Sequence, residues 1–329
     1  MKRMHAKPLR PETAKVVVFG AGAVGCYFGA KLAEAGVAVT LIGRRAHVDA
    51  IRGSGLLFES EGRQRRTAIA ADTSPEPVRE ADLVLFCPKT RDTGEGARAL
   101  AGLLAPGAVV VSLQNGVDNV PRMREAGVDA LGAVVYVAAS MAGPGHLRHG
   151  GRGDLVVGEY GSASGGADAA NSGDARTSAR SANVAELFES AGVHCRTVAD
   201  VRGELWTKLV MNCAFNAISA LGVSDYGRML ADADVRVLMR DLIDECVAVA
   251  RADGVPIAGT DEQYPAAIRL GEAMTSATSS TAQDLAAGRP TEIDSLNGYV
   301  ARLGEKLGVA TPVNRALATL VRLLERKPA

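Results

Sequence analysis

Short β-branched runs alternate with amphipathic stretches through the first half of the chain. Residues 16–19, 37–42, 83–86, 109–113 and 134–138 are nearly unbroken apolar runs. Glycine turns or helically spaced segments separate them. Unbroken runs mark strands buried on both faces, and strands alternating with helices build a parallel sheet. Residues 146–148 and 155–157 read as an added hairpin. From about Asp200 the period changes. Helical spacing runs through 203–221, 233–253, 263–274, 292–307 and 314–325, with breaks at Gly254-Val255-Pro256 and Thr311-Pro312. The pattern predicts an α/β domain with a doubly wound sheet over 14–199, followed by an all-α domain over 200–329.

Two segments stand outside this pattern. Residues 1–13 are basic and punctuated by proline, with no apolar stretch of the signal-peptide kind, and are expected to be a disordered leader. Residues 161–181 are rich in Gly, Ala, Ser and Asp. So little apolar surface cannot offset the entropy of ordering, so a flexible insertion without chemistry is expected there. A helix should resume over 183–191.

Composition narrows the function classes. The 329 residues include 37 basic and 37 acidic side chains, a net charge of zero, so no field recruits a nucleic-acid backbone. Arg63, Arg65 and Arg66 form a short basic cluster that reads as a solvated loop. The five cysteines, Cys26, Cys87, Cys195, Cys213 and Cys246, are scattered and show no CxxC pair. Free buried thiols in a reducing, cytoplasmic setting are expected, rather than a disulfide framework. The five histidines lack metal-ligand spacing, which argues against a metal catalyst. No apolar run approaches a membrane span. The apolar surface of the helical half would allow a homodimer, although no pattern marks an interface.

Candidate chemistry begins at Gly20-Ala21-Gly22-Ala23-Val24-Gly25, which follows the first strand directly and opens a helix ending near Gly36. In this GxGxxG spacing the first glycine permits a tight turn. The second lets a pyrophosphate approach the backbone, and the third lets helix and strand pack closely. The phosphates would rest on a helix N-terminus, where unpaired N–H groups and the dipole favour an anion. This is the fingerprint of a Rossmann-type dinucleotide domain. After the second strand, where NAD enzymes carry an acid, the chain reads Gly43-Arg44-Arg45. A guanidinium there can pair with a 2′-phosphate, so NADPH is the expected cofactor, with Arg44 its anchor and Arg45 or His47 as helpers. Lys89 and Asn115 follow two later strands and would face the nicotinamide half. Each also fits a plain turn.

Lys208, Asn212 and Asn216 stand at i, i+4 and i+8 of an otherwise apolar helix, one turn apart on one face. Burying a lysine and two amides without partners would cost several kcal/mol, so such a stripe marks a polar cleft rather than a dry core. Desolvation lowers a lysine pKa and suits it to proton donation. Spacing alone leaves Ser279, Ser280 and Glu292 open between a site and helix caps.

Together these pieces resemble the ketopantoate reductase family. The resemblance is carried by GAGAVG at 20–25, the Lys89 turn, Gln114-Asn115-Gly116 and Glu204-Leu205-Trp206-Thr207-Lys208-Leu209 with its two asparagines. Ser279-Ser280, Gln283-Asp284, Thr291-Glu292-Ile293-Asp294 and Asn297-Gly298 complete it. It implies NADPH-dependent reduction of 2-dehydropantoate, a small 2-keto acid, to (R)-pantoate. Lys208 would be the general acid, with Glu292 orienting Lys208 and the cofactor. Asn115, Asn212, Asn216 and Ser280 would bind substrate, Asn115 also touching the cofactor. Ala139 would make a backbone contact to NADP. The chain departs at Tyr226, where some members carry Asn, and in the length of its 161–181 insertion. Two rival readings are a related D-2-hydroxy-acid dehydrogenase acting on another branched or aromatic acid, and a non-catalytic NADP-binding redox sensor.

Overall fold

The computed structural model describes residues 8–161 and 177–326. The chain divides between Val201 and Arg202 into two compact units.

One sheet organises the first unit. Its strands are β1 (Lys15–Phe19), β2 (Ala38–Ile42), β3 (Leu56–Ser60), β4 (Arg63–Thr67), β5 (Ala70–Asp72), β6 (Leu83–Phe86), β7 (Val109–Ser112), β8 (Ala130–Gly143), β9 (His146–Glu159) and β10 (Cys195–Asp200). Their spatial order is β4-β3-β9-β8-β7-β6-β1-β2-β5, with β10 also on β9. The run from β5 to β8 is parallel. Helices α1 (Ala23–Glu34), α2 (Arg45–Ser54), α3 (Thr93–Ala101), α4 (Asn119–Glu125) and α5 (Ala179–Ser190) complete the unit. Alternation along β1 explains its unbroken apolar sequence. Val16 and Val18 enter one core with Phe28, Leu32 and Phe188, while Val17 enters another with Leu100 and Met123. Each such side chain contributes roughly 1.5–3 kcal/mol on burial, so both faces must be covered.

Four expectations about the secondary structure of the first unit need correction. Arg63, Arg65 and Arg66 do not form a loop but the edge strand β4, paired antiparallel with β3. Arg65 grips the Glu34 carboxylate through Nε and Nη2 at 2.7 and 2.9 Å, and its guanidinium lies over the Phe58 ring. A charged edge also deters pairing with another chain. Residues 146–148 and 155–157 are not a hairpin of their own. They are two parts of the single strand β9, which pairs antiparallel with β8 across three register shifts. The glycines between them resemble a turn, yet Gly153 is small for another reason: a Cβ there would lie 1.9 Å from the Tyr27 hydroxyl. Within the expected leader, Leu9 is buried in the first core and Arg10 to Ala14 form a turn; residues 1–7 lie outside the described residues. Of the expected insertion, 162–176 lie outside them too, but its end is ordered. Ser178 caps α5, and Arg180 ties that helix to Glu159 through Nε at 2.8 Å and to Asp129 at 2.7 Å.

The second unit is helical: α6 (Arg202–Leu221), α7 (Tyr226–Ala231), α8 (Ala233–Ala252), α9 (Thr260–Ala273), α10 (Ser280–Ala286), α11 (Asn297–Leu307) and α12 (Pro312–Glu325). Glu292 does not begin a helix, as the spacing over 292–307 predicts. It precedes a 3-10 turn at Ile293–Ser295, and Leu296, at φ −110° and ψ −112°, separates that turn from α11. Among the described residues no helix is long and apolar enough to cross a membrane.

The start of α12 is held from α8. Glu245 accepts hydrogen bonds from the backbone N–H of Val313 and Asn314 and from Asn314 Nδ2, at 2.8–2.9 Å. These satisfy two of the donors a helix start leaves over. Glu245→Ala should therefore destabilise this unit by about 2 kcal/mol, the contribution of one charge-assisted bond, while Glu245→Gln loses less. Urea midpoints measure this, and parental midpoints in both variants would show the contact to be idle.

Candidate active site

The three glycines of the first turn do different work. A Cβ on Gly20, whose φ is +107°, would lie 2.8 Å from the carbonyl carbon of Cys87 and from the Pro88 nitrogen. One on Gly25 would lie 2.5 Å from the Gly20 carbonyl oxygen and 2.6 Å from a Val18 methyl. A Cβ on Gly22 would meet nothing within 4 Å. Gly20 and Gly25 thus let strand and helix close together, whereas Gly22 faces open space. Gly22 is the N-cap of α1, with Ala23 and Val24 in the first turn behind it. First-turn N–H groups have no partner inside their own helix, so this corner suits a phosphate. Ala21 donates its N–H to the Ile42 carbonyl at 2.8 Å, fixing the turn to the end of β2.

Gly43, Arg44 and Arg45 come next along the chain from β2. A Cβ on Gly43 would lie 2.9 Å from the Ala21 methyl, a close approach that sequence reasoning missed. Arg44 is the exposed N-cap of α2, and no carboxylate follows β2. His47 is engaged elsewhere. Its Nδ1 accepts from the Gly145 N–H at 2.8 Å, which leaves the ring hydrogen on Nε2, 3.3 Å from Cys26 Sγ. The Cys26 thiol donates in turn to the Ala21 carbonyl at 3.5 Å. His47 is thus a neutral strut between the β8–β9 turn and the glycine turn, not a phosphate ligand. Burial also pushes the Cys26 thiol up to about 12. All five cysteines are free.

Lys89 and Asn115 follow the carboxyl ends of the neighbouring strands β6 and β7, and a buried polar net joins their turns. Gln114 Nε2 donates to the Pro88 carbonyl at 3.0 Å and to Thr93 Oγ1 at 2.8 Å, and its Oε1 accepts from Ser112 Oγ at 3.0 Å. The Asn115 carbonyl accepts from Thr90 Oγ1 at 3.0 Å and from Asn119 Nδ2 at 2.7 Å. Lys89 itself is exposed. Ala139 lies on β8 opposite His149, in the apolar layer that also takes Ala21, Ala23 and Val24.

In the helical unit, α6 is buried on most faces. Lys208 and Asn212 are half-buried, and Asn216 is buried. Asn216 Nδ2 donates to Ser280 Oγ at 3.3 Å, so two of the predicted site residues meet. Ser279 turns out to be the cap of α10. Its hydroxyl accepts from Ala282 N–H and lies 3.1 Å from the Asn216 carbonyl, locking α10 to α6. Glu292 is half-buried on a turn held by the buried Ile293 and by Glu325, which accepts from the Thr291 N–H at 2.7 Å.

Residues 16–162 match the family described as ketopantoate reductase PanE/ApbA, and 200–325 match its C-terminal part. The chain belongs to the ketopantoate reductase family. Among curated relatives, the 2-dehydropantoate 2-reductase of Halobacterium salinarum is 34% identical, covering 95% of this chain and 99% of its own. That of Mesorhizobium japonicum is 33% identical, covering 94% and 97%. A crystal structure of a PanE/ApbA family ketopantoate reductase from Ralstonia eutropha JMP134 is 46% identical, with a TM-score of 0.84 over 94% of this chain and 98% of that one. Tyr226, where the resemblance leads one to expect a departure, packs inside the helical unit. Its ring lies 4.3 Å from that of Phe215, and burial pushes its hydroxyl up to about 12.

Burial holds the His47 imidazole below its ordinary value of 6.5. The folded chain therefore binds fewer protons there than the unfolded one, and stability present above 6.5 is lost as pH falls through the lowered pKa. Melting midpoints followed from about pH 7.5 to about 5.5 should fall less steeply for His47→Gln than for the parent. Identical slopes would remove His47 as the titrating group.

Proposed function

We propose that this chain is an NADPH-dependent reductase that converts 2-dehydropantoate to (R)-pantoate, a step of pantothenate and coenzyme A biosynthesis, in the cytoplasm. The observation that carries the reading is the Lys208, Asn212 and Asn216 face of α6, with Asn216 joined to Ser280, in a chain that matches the family over both units. A redox sensor needs no such constellation.

The cofactor site suits NADP by its chemistry. Gly22 leaves room for the pyrophosphate, the first turn of α1 offers N–H groups, and Arg44 supplies the cation for a 2′-phosphate. Lys89 and Asn115 receive the nicotinamide half, and Ala139 offers its backbone. The bound cofactor would supply the hydride that the keto carbon accepts. Lys208 stabilises the charge that develops on the keto oxygen and then donates the proton. Asn212, Asn216 and Ser280 orient the keto acid, and Glu292 orients the ammonium group.

Lys208→Ala should lower kcat by about 10²- to 10⁴-fold, the usual contribution of a positioned general acid, and leave NADPH binding unchanged. Stopped-flow NADPH oxidation with 2-dehydropantoate reads the first and fluorescence titration the second. Retained turnover would remove the proton-donor role. A panel of branched and aromatic keto acids with the parent enzyme tests the substrate, and a preference for another acid would give the D-2-hydroxy-acid dehydrogenase reading precedence.

Arg44→Ala should weaken NADPH by about 10- to 100-fold, the equivalent of one charge-assisted contact, and leave NADH untouched. Equal use of NADH by the parent would overturn the assignment of Arg44.

A further inference from the structure

The Gln114 side chain bonds Ser112, Pro88 and Thr93, none of them expected to meet substrate or cofactor, yet it joins the turns that carry such positions. It is 6% exposed, and both ends of its amide are used. The Pro88 carbonyl can only accept, so the group facing it must donate. Pro88 has no slack on its other side. Its nitrogen would lie 2.8 Å from a Cβ on Gly20, so the Cys87–Pro88 peptide forms the wall of the glycine turn. The second Nε2 hydrogen bond reaches Thr93, whose hydroxyl lies 2.9 Å from Asn119 Oδ1, and Asn119 pins the Asn115 carbonyl. One amide therefore fixes the spacing of three strand-end turns.

We propose that Gln114 is a positioning residue for the nicotinamide half of the cofactor: it donates to the Pro88 carbonyl and to Thr93, and so holds Lys89 and Asn115 at a set distance from the Gly20–Gly25 turn. The inference rests on the NADP reading above. Arg44 and the α2 start lie outside this net. The adenosine end of the cofactor should therefore be indifferent to Gln114, and the nicotinamide end sensitive to it.

The comparison of NADPH with adenosine 2′,5′-bisphosphate, which lacks the nicotinamide half, separates positioning from damage to the fold. In full-length Gln114→Met, NADPH should bind about tenfold more weakly, the equivalent of one lost hydrogen bond, and the bisphosphate within about twofold of the parent. Gln114→Glu keeps the shape but turns lone pairs toward the Pro88 carbonyl. It should show the same selective loss, relieved toward low pH as the protonated acid becomes a donor, relative to the parent's own pH profile. Equal weakening of both ligands, or no weakening of NADPH in the folded Glu variant, would overturn the proposal. A parent enzyme that binds neither ligand would instead overturn the NADP reading, and this inference with it.

Discussion

The closeness of backbone to backbone at the Gly20–Gly25 turn constrains the rest of the first unit. α1 can press on β1 only because Gly25 has no Cβ to meet the Gly20 carbonyl oxygen 2.5 Å away. The Cys87–Pro88 peptide can close on Gly20 for the same reason. β1 lies between β2 and β6, so the ends of all three strands are referenced to this one turn. Gly22, at the centre of the motif, is not needed for packing. Two glycines of the fingerprint thus serve the fold, and the third keeps a space that a ligand can fill.

Polar groups then carry this geometry outward. The net around Gln114 binds the ends of β6 and β7, and the His47–Cys26–Ala21 chain binds α2, the β8–β9 turn and the glycine turn. A buried amide or imidazole is costly when its bonds are unmet, and specific about geometry when they are met. Both nets are met at every ring nitrogen or amide atom named here, so they act as spacers with fixed lengths. An apolar core of equal volume would fill the space without setting those distances.

Features that depend on local spacing were legible in the sequence. The parallel strands follow from unbroken apolar runs, the glycine turn from its GxGxxG spacing, and the single face of Lys208, Asn212 and Asn216 from a four-residue spacing on a helix. The features that were not legible depend on partners far along the chain. β4 looks like a loop because its arginines are stabilised by Glu34 and Phe58, not by burial of its own apolar face. β9 looks interrupted because Gly153 yields its space to Tyr27. Arg180 orders the end of a low-complexity stretch through Glu159 and Asp129. Gln114 reads only as part of the Gln-Asn-Gly piece and His47 as a helper for a 2′-phosphate, since nothing local shows that their side chains are spanned by hydrogen bonds.

The start of α2 combines these constraints with a local penalty. A helix N-terminus favours anions, yet α2 begins with Arg44 and Arg45 and has no acid in its first turn. Two cations there oppose the dipole by roughly 0.3–1 kcal/mol each. Neighbouring positions could not take over the charge. Gly43 has no room for a side chain beside Ala21, and His47 is held neutral by Gly145. A local rule broken without a compensating contact in the protein itself points to a ligand that supplies the compensation. A 2′-phosphate would do so at both ends of the conflict, neutralising the guanidinium and restoring negative charge to the helix start. On that argument the packing of the glycine turn leaves position 44 as the first place after β2 where a charged side chain can stand, and the NADP proposed above would fit the charge found there.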